Sequence, residues 1–142
     1  PLQAICHGDA KDANMMFNGD GTRVTMYDFQ YIGKAAAAKD VAYCLMCAAD
    51  DASGSREIDY LKAYHAALLQ HLERLGRGNE APSFEKLRDS YDLAVCDLAR
   101  WMAGWGWWGN TSALEATCER VLTRLDAGRN LGSEDAYCKR VA

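Results

Sequence analysis

The stretch His7-Gly8-Asp9-Ala10-Lys11-Asp12-Ala13-Asn14, together with Tyr27-Asp28-Phe29-Gln30, decides how this chain is read. Between the two lie short apolar runs, Met15–Phe17 and Val24–Tyr27, on either side of Asn18-Gly19-Asp20-Gly21. Turn residues between two apolar runs predict a β-hairpin. A hairpin centred near Gly21 sets Asn14, at the start of one strand, opposite Asp28 at the end of the other. Two oxygen-bearing side chains then converge at one end of the ribbon. Magnesium takes hard oxygen donors and commonly draws only one or two from protein, leaving the rest to water and phosphate; Asn14 and Asp28 are therefore candidate metal ligands. Asp9 lies in the loop just before the hairpin and can reach the same place without being tied to the metal, as an acceptor for the proton of a hydroxyl or amine must. Lys11 adds positive charge there. Metal, positive charge and a positioned nucleophile are what phosphoryl transfer asks of a protein.

Upstream of the motif, Gln3–Cys6 is a short apolar strand candidate, and downstream of Lys39 the apolar spacing is helical. A helix is expected from Asp40 to about Ala49, with Asp40 as its candidate cap. A second runs from near Ser55 to Gly76 and buries Ile58, Leu61, Leu68, Leu72 and Leu75. A third starts at the cap Ser83 and carries Phe84, Leu87, Tyr91, Leu98, Trp101 and Trp105 on one side. A fourth opens on the capping box Ser112-Ala113-Leu114-Glu115 and ends at Gly128, and a short helix from Ser133 closes the chain. The class is α+β, mostly α: a loop-and-hairpin segment over 1–38 and a helical bundle over 39–142. At 142 residues the chain fits one core better than two.

Composition narrows the function classes. With 49% hydrophobic and 25% charged residues the chain reads as an ordinary globular domain. A net charge of -4 leaves no basic stripe for a phosphate backbone, so nucleic acid is not an expected partner. The longest apolar stretch, Val41–Ala49, falls short of the ~20 residues that cross a bilayer, so no membrane partner is expected either. The six cysteines lack the density of a small secreted scaffold and indicate a reducing, cytoplasmic setting. Cys44 and Cys47 form a C-x-x-C with no second pair to complete a zinc site, and read as buried thiols. His65 and His71, six residues apart, cannot share a metal on one helix face. The run Trp101 to Trp108 is too rich in tryptophan to be wholly exposed. Core packing is its default role; a substrate-facing aromatic wall, with Trp107 and Trp108 as candidates, is the alternative.

The pattern His-Gly-Asp, four residues, Asn, then an apolar strand ending in Asp-Phe resembles the aminoglycoside phosphotransferase and choline kinase superfamily, relatives of the protein kinases. Asp28-Phe29-Gln30, Gly33, Asp40-Val41-Ala42-Tyr43, Tyr64, Arg100-Trp101-Met102 and Gly104-Trp105-Gly106 resemble its ecdysteroid-kinase-like, or CHK kinase-like, branch over nearly the whole chain. The resemblance implies a protein-kinase-like C-terminal lobe in which Asp9 is the catalytic base, Asn14 and Asp28 hold magnesium, and His7 and Asp40 brace the catalytic loop. Lys11 takes the place of the catalytic-loop lysine of many serine/threonine kinases. ATP and Mg2+ are the implied cofactors, and the hydroxyl of a small organic molecule the implied acceptor.

In such families the glycine-rich loop, the strand lysine and its glutamate partner precede the position of Pro1. The expectation is a C-terminal lobe without its N-lobe, turning over little alone and partnered by the N-lobe of the same protein. A non-catalytic, pseudokinase-like binding module is the alternative. The joint presence of Asp9, Asn14 and Asp28 weighs against it.

Overall fold

A computed structural model describes residues 3–126 and 138–139. Among the described residues, four short strands lead into four helices: β1 (Gln3–Cys6), β2 (Met15–Phe17), β3 (Val24–Met26), β4 (Gly33–Ala36), α1 (Ala38–Ala48), α2 (Gly54–Arg74), α3 (Phe84–Trp105) and α4 (Thr111–Asp126). The fold is α+β and mostly helical, as the sequence predicts. The helix expected from Ser133 and the end of the fourth helix at Gly128 lie outside the described residues, save that Cys138 and Lys139 are helical.

The strands make two separate ribbons. β2 and β3 pair antiparallel around the Asn18–Arg23 loop, with Met15 opposite Met26 and Phe17 opposite Val24. This register is one residue away from that of a hairpin centred on Gly21: Asn14 comes opposite Tyr27, whose amide donates to the Asn14 carbonyl at 3.2 Å. β4 does not stand out in the sequence, because alanine and glycine are weak strand formers. It pairs antiparallel with β1, Cys6 opposite Gly33 and Gln3 opposite Ala36. The two ribbons thus bring both ends of the polar loop beside the start of α1.

α1 buries Ala38, Ala42, Leu45 and Met46, an i, i+4, i+7, i+8 stripe that faces a core. Small residues at the first two positions allow close approach to α3, whose Tyr91, Ala94, Val95 and Met102 complete the core with Leu61 of α2 and Ala113 and Leu114 of α4. Leu75, expected on the buried face of α2, is exposed, as are Trp101 and Trp105 of α3. The expected cap Ser83 does accept from the Lys86 amide.

The starts of α1 and α4 differ from expectation. Asp40 is the third residue of α1, not its cap, since Ala37 precedes the helix with helical dihedrals of its own. α4 begins at Thr111, so Ser112 lies inside it; Asn110 caps it instead, its Oδ1 accepting from the Ala113 amide at 3.2 Å. The Asn110 amide nitrogen also donates to the Asp50 carbonyl at 3.1 Å, which ties the start of α4 to the end of α1. Gly109 makes this approach possible: at φ +70° a Cβ there would lie 2.3 Å from the Met46 carbonyl oxygen.

Candidate active site

The polar loop between β1 and β2 is held from below by α1. Asp40 turns its carboxylate away from its own helix and accepts from the amides of His7 at 2.6 Å and Gly8 at 2.9 Å. One carboxylate thus satisfies two loop donors that no sheet or helix could serve. Gly8 sits at φ +85°, and a Cβ there would fall 2.4 Å from the Tyr31 carbonyl oxygen. Gly8→Ala is therefore expected to cost about 1–3 kcal/mol and to move the loop, seen as a lower urea midpoint with altered Asp9 and Asp40 resonances.

His7 links the loop to the far end of the hairpin. Its Nε2 meets the Tyr27 carbonyl at 2.8 Å, and its Nδ1 lies 3.3 Å from the Asp9 amide. A carbonyl only accepts and an amide only donates, so the ring is the neutral Nε2–H tautomer. Its face packs on Phe29 with ring centroids 4.7 Å apart. Tyr27 and Phe29 are both anchored on His7, and Asp28 between them takes φ +62°. That left-handed turn, unusual for a residue other than glycine, ends the strand alternation where the chain leaves β3. Asp28 is exposed.

Asp9 is the centre of the network and is 6% exposed. Lys11 Nζ lies 2.9 Å and Asn14 Nδ2 2.8 Å from its Oδ2, so Oδ1 is committed to neither. Asn14, also buried, donates from the same Nδ2 to the Asp9 backbone carbonyl at 2.9 Å. With its nitrogen so engaged, Asn14 has its carbonyl oxygen to offer a cation. Burial raises the Asp9 carboxyl, but hydrogen bonds from Lys11, Asn14 and Tyr43 outweigh it and hold the group below the usual carboxylate range. A depressed carboxylate adds stability that is present above its unfolded value of 3.8 and is lost as pH falls through the folded one. Lys11 is shifted up, by its bond to Asp9 first, against desolvation, and then by the charges of Asp9 and Asp28. Lys11 is thus the group on which both aspartates act.

A cleft of about 580 Å³ opens beside Asp9, walled by Lys34 of β4, Tyr43 of α1, and Leu98, Trp101 and Trp105 of α3. Asn14, Asp28, Trp107 and Trp108 are not among its lining residues. The structure thus joins His7, Asp9, Lys11, Asn14 and Asp40 in one network; the neighbours of Asp28, Tyr27 and Phe29, contact His7, and the Asp28 charge acts on Lys11. It sets Trp107 and Trp108 apart: Trp107 is exposed, and the Trp108 indole donates to Cys47 Sγ at 3.3 Å. The aromatic wall of the cleft is Trp101 and Trp105. Sequence reasoning passed over Tyr43 as a partner of Asp9. Its place one helical turn after Asp40, hence on the same face of α1, was the available signal.

The side groups read as structural in the sequence have structural surroundings. His65 Nε2 meets the Pro82 carbonyl at 2.8 Å and its ring packs edge-on against Phe84; His71 is exposed. All six cysteines are free thiols. Among the described residues no group of three or more His, Cys, Asp and Glu side chains gathers to hold a metal, and no helix is long and apolar enough to cross a membrane.

The sequence profile of the ecdysteroid kinase-like family matches residues 1–77, just over half of the chain, and covers the whole network. The tryptophan-rich stretch over 100–106 lies beyond the match. Neither a curated protein nor a solved structure gives a significant match.

Proposed function

The chain belongs to the ecdysteroid kinase-like family, and from that membership we propose that it is the catalytic half of a kinase that moves a phosphoryl group from ATP to the hydroxyl of a small organic acceptor. The observation that carries the reading is Asp9: a buried carboxylate, held at one oxygen by Lys11 and Asn14, on the wall of a cleft large enough for a small molecule.

The donor set suits a hard divalent cation, since the Asn14 carbonyl oxygen and the exposed Asp28 carboxylate are oxygens and few protein ligands are needed. Bound Mg2+ would neutralise charge on the transferring phosphate. In this reading Asp9 orients the acceptor hydroxyl and receives its proton as the new O–P bond forms and the bond from the transferring phosphorus to the departing ADP oxygen breaks. Lys11 offsets negative charge at the same point. His7 and Asp40 keep the loop in shape, through the Tyr27 carbonyl and through the His7 and Gly8 amides. The grip on ATP comes from a lobe that precedes this segment in the same protein. A net charge of -4 favours small molecules over nucleic acid or membrane as partners, and six free thiols favour a cytoplasmic location.

The test is ADP release by this chain joined to the preceding lobe of its own protein, with ATP, Mg2+ and a panel of alcohols. Acceptor-dependent ADP release that stops on chelation with EDTA is the expected result. Nucleotide binding with no ADP release from any alcohol would instead make the protein a binding module.

A further inference from the structure

The cleft beside Asp9 carries a charge pattern that transfer itself does not explain. Of its basic lining residues, Lys39 and Arg100 share one carboxylate: Lys39 Nζ lies 2.9 Å from Asp97 Oδ2, and Arg100 Nη2 lies 2.7 Å from Asp97 Oδ1. The acidic lining groups are engaged as well, Asp9 by Lys11 and Asp40 by two backbone amides. Lys34 differs. It is exposed on β4, faces the cleft, and has no acidic partner among the described residues. Among the described residues Lys34 is therefore the basic lining residue without a carboxylate partner, while Lys39 and Arg100 are paired with Asp97 and Asp9 with Lys11.

The rest of the wall is apolar and open. Trp101 and Trp105 are 42% and 78% exposed, with ring centroids 6.0 Å apart. Indole surface of this extent beside a cleft is what a ligand with a flat apolar body covers. The volume of about 580 Å³ lies in the range of clefts that enclose small organic ligands.

Resting on the phosphotransferase reading, we propose that the acceptor is a flat, apolar alcohol that also bears an acid group. Its hydroxyl lies at Asp9, its apolar body over Trp101 and Trp105, and its carboxylate or other anion at Lys34. A cationic acceptor is disfavoured. Cation–π attraction to the indoles would have to act against the Lys34 charge, and Asp97 already serves two cations.

Isothermal titration calorimetry on the full chain, without nucleotide or metal, tests this with three probes of one shape. They are 6-(hydroxymethyl)-2-naphthoic acid, neutral 2-naphthalenemethanol, and the cationic 6-(aminomethyl)-2-naphthalenemethanol. The acid is expected to bind about tenfold more tightly than the neutral alcohol, and the amine most weakly. Lys34→Met should erase the advantage of the acid and leave the neutral alcohol unchanged, while Lys34→Arg should keep that advantage. Trp101→Ala and Trp105→Ala should weaken both the acid and the neutral probe. The proposal is overturned if the amine binds best, if Lys34→Met leaves the preference for the acid intact, if neither tryptophan change weakens binding, or if none of the probes binds. Because the titration contains no ATP or Mg2+, such a failure is separate from a failure of phosphoryl transfer, which ADP release reads.

Discussion

Asp9→Asn is expected to lower acceptor-dependent ATP turnover about 10²- to 10⁴-fold, the usual contribution of a positioned general base, while leaving the fold in place. Asparagine has nearly the same shape and keeps an oxygen for Lys11 and Asn14, so the loop retains its hydrogen bonds. It cannot accept the acceptor's proton. In the unaltered protein, the hydrogen bonds that outweigh burial hold Asp9 below the ordinary value of 3.8. The base is then already ionised throughout the neutral range, and the acid limb that it sets on a turnover–pH profile should fall below that value. The measurement is steady-state ADP release, with the melting temperature as a control for folding. Turnover by Asp9→Asn close to that of the unaltered protein would remove Asp9 from the chemistry.

Arg120→Met is expected to have the largest effect on stability. Arg120 on α4 joins two buried carboxylates on different helices: Glu57 of α2 at 3.3 Å and Asp92 of α3 at 2.8 Å. Glu57 is 3% exposed and Asp92 1%. Thr117 Oγ1 adds a hydrogen bond to Glu57 at 3.1 Å, and Arg124 reaches Asp92 only at 3.6 Å. Removing one partner of a buried ion pair leaves an uncompensated charge and costs about 3–5 kcal/mol, and here one guanidinium serves two carboxylates. Urea denaturation should show the loss as a large drop in midpoint. Arg77→Ala, which breaks the exposed Arg77–Glu80 pair, should leave the midpoint nearly unchanged, because water screens such pairs. Equal effects of the two substitutions would show that Arg120 does not hold the three helices together.

What could be read in the sequence follows from how local each feature is. The loop from His7 to Asn14 and the hairpin after it are short, and their turn residues and polar spacing carry the geometry. β1, β2, β3 and the approximate starts of the helices were legible for that reason. Register was not, because a loop of given composition can close with one residue more or less on either strand. The pairing therefore set Asn14 opposite Tyr27 instead of Asp28. β4 was missed because its partner β1 lies about thirty residues away and its alanines give no alternation. The Asn110 cap and the Glu57–Arg120–Asp92 network depend on where whole helices pack, which no local pattern encodes. The tryptophans illustrate the same limit: their density was plain, but only the docking of α3 beside α1 decides that Trp101 and Trp105, not Trp107 and Trp108, border the cleft.

The account stands on a divalent cation being held between Asn14 and Asp28, within reach of Asp9. Paramagnetic broadening of amide resonances by Mn2+, titrated into the isotope-labelled protein with ATP present, locates that cation directly. The expected result is broadening centred on Asn14 and Asp28, extending to Asp9 and Lys11, and abolished by Asp28→Ala. Broadening centred on a distant acidic stretch such as Asp50-Asp51, or unchanged by Asp28→Ala, would contradict it.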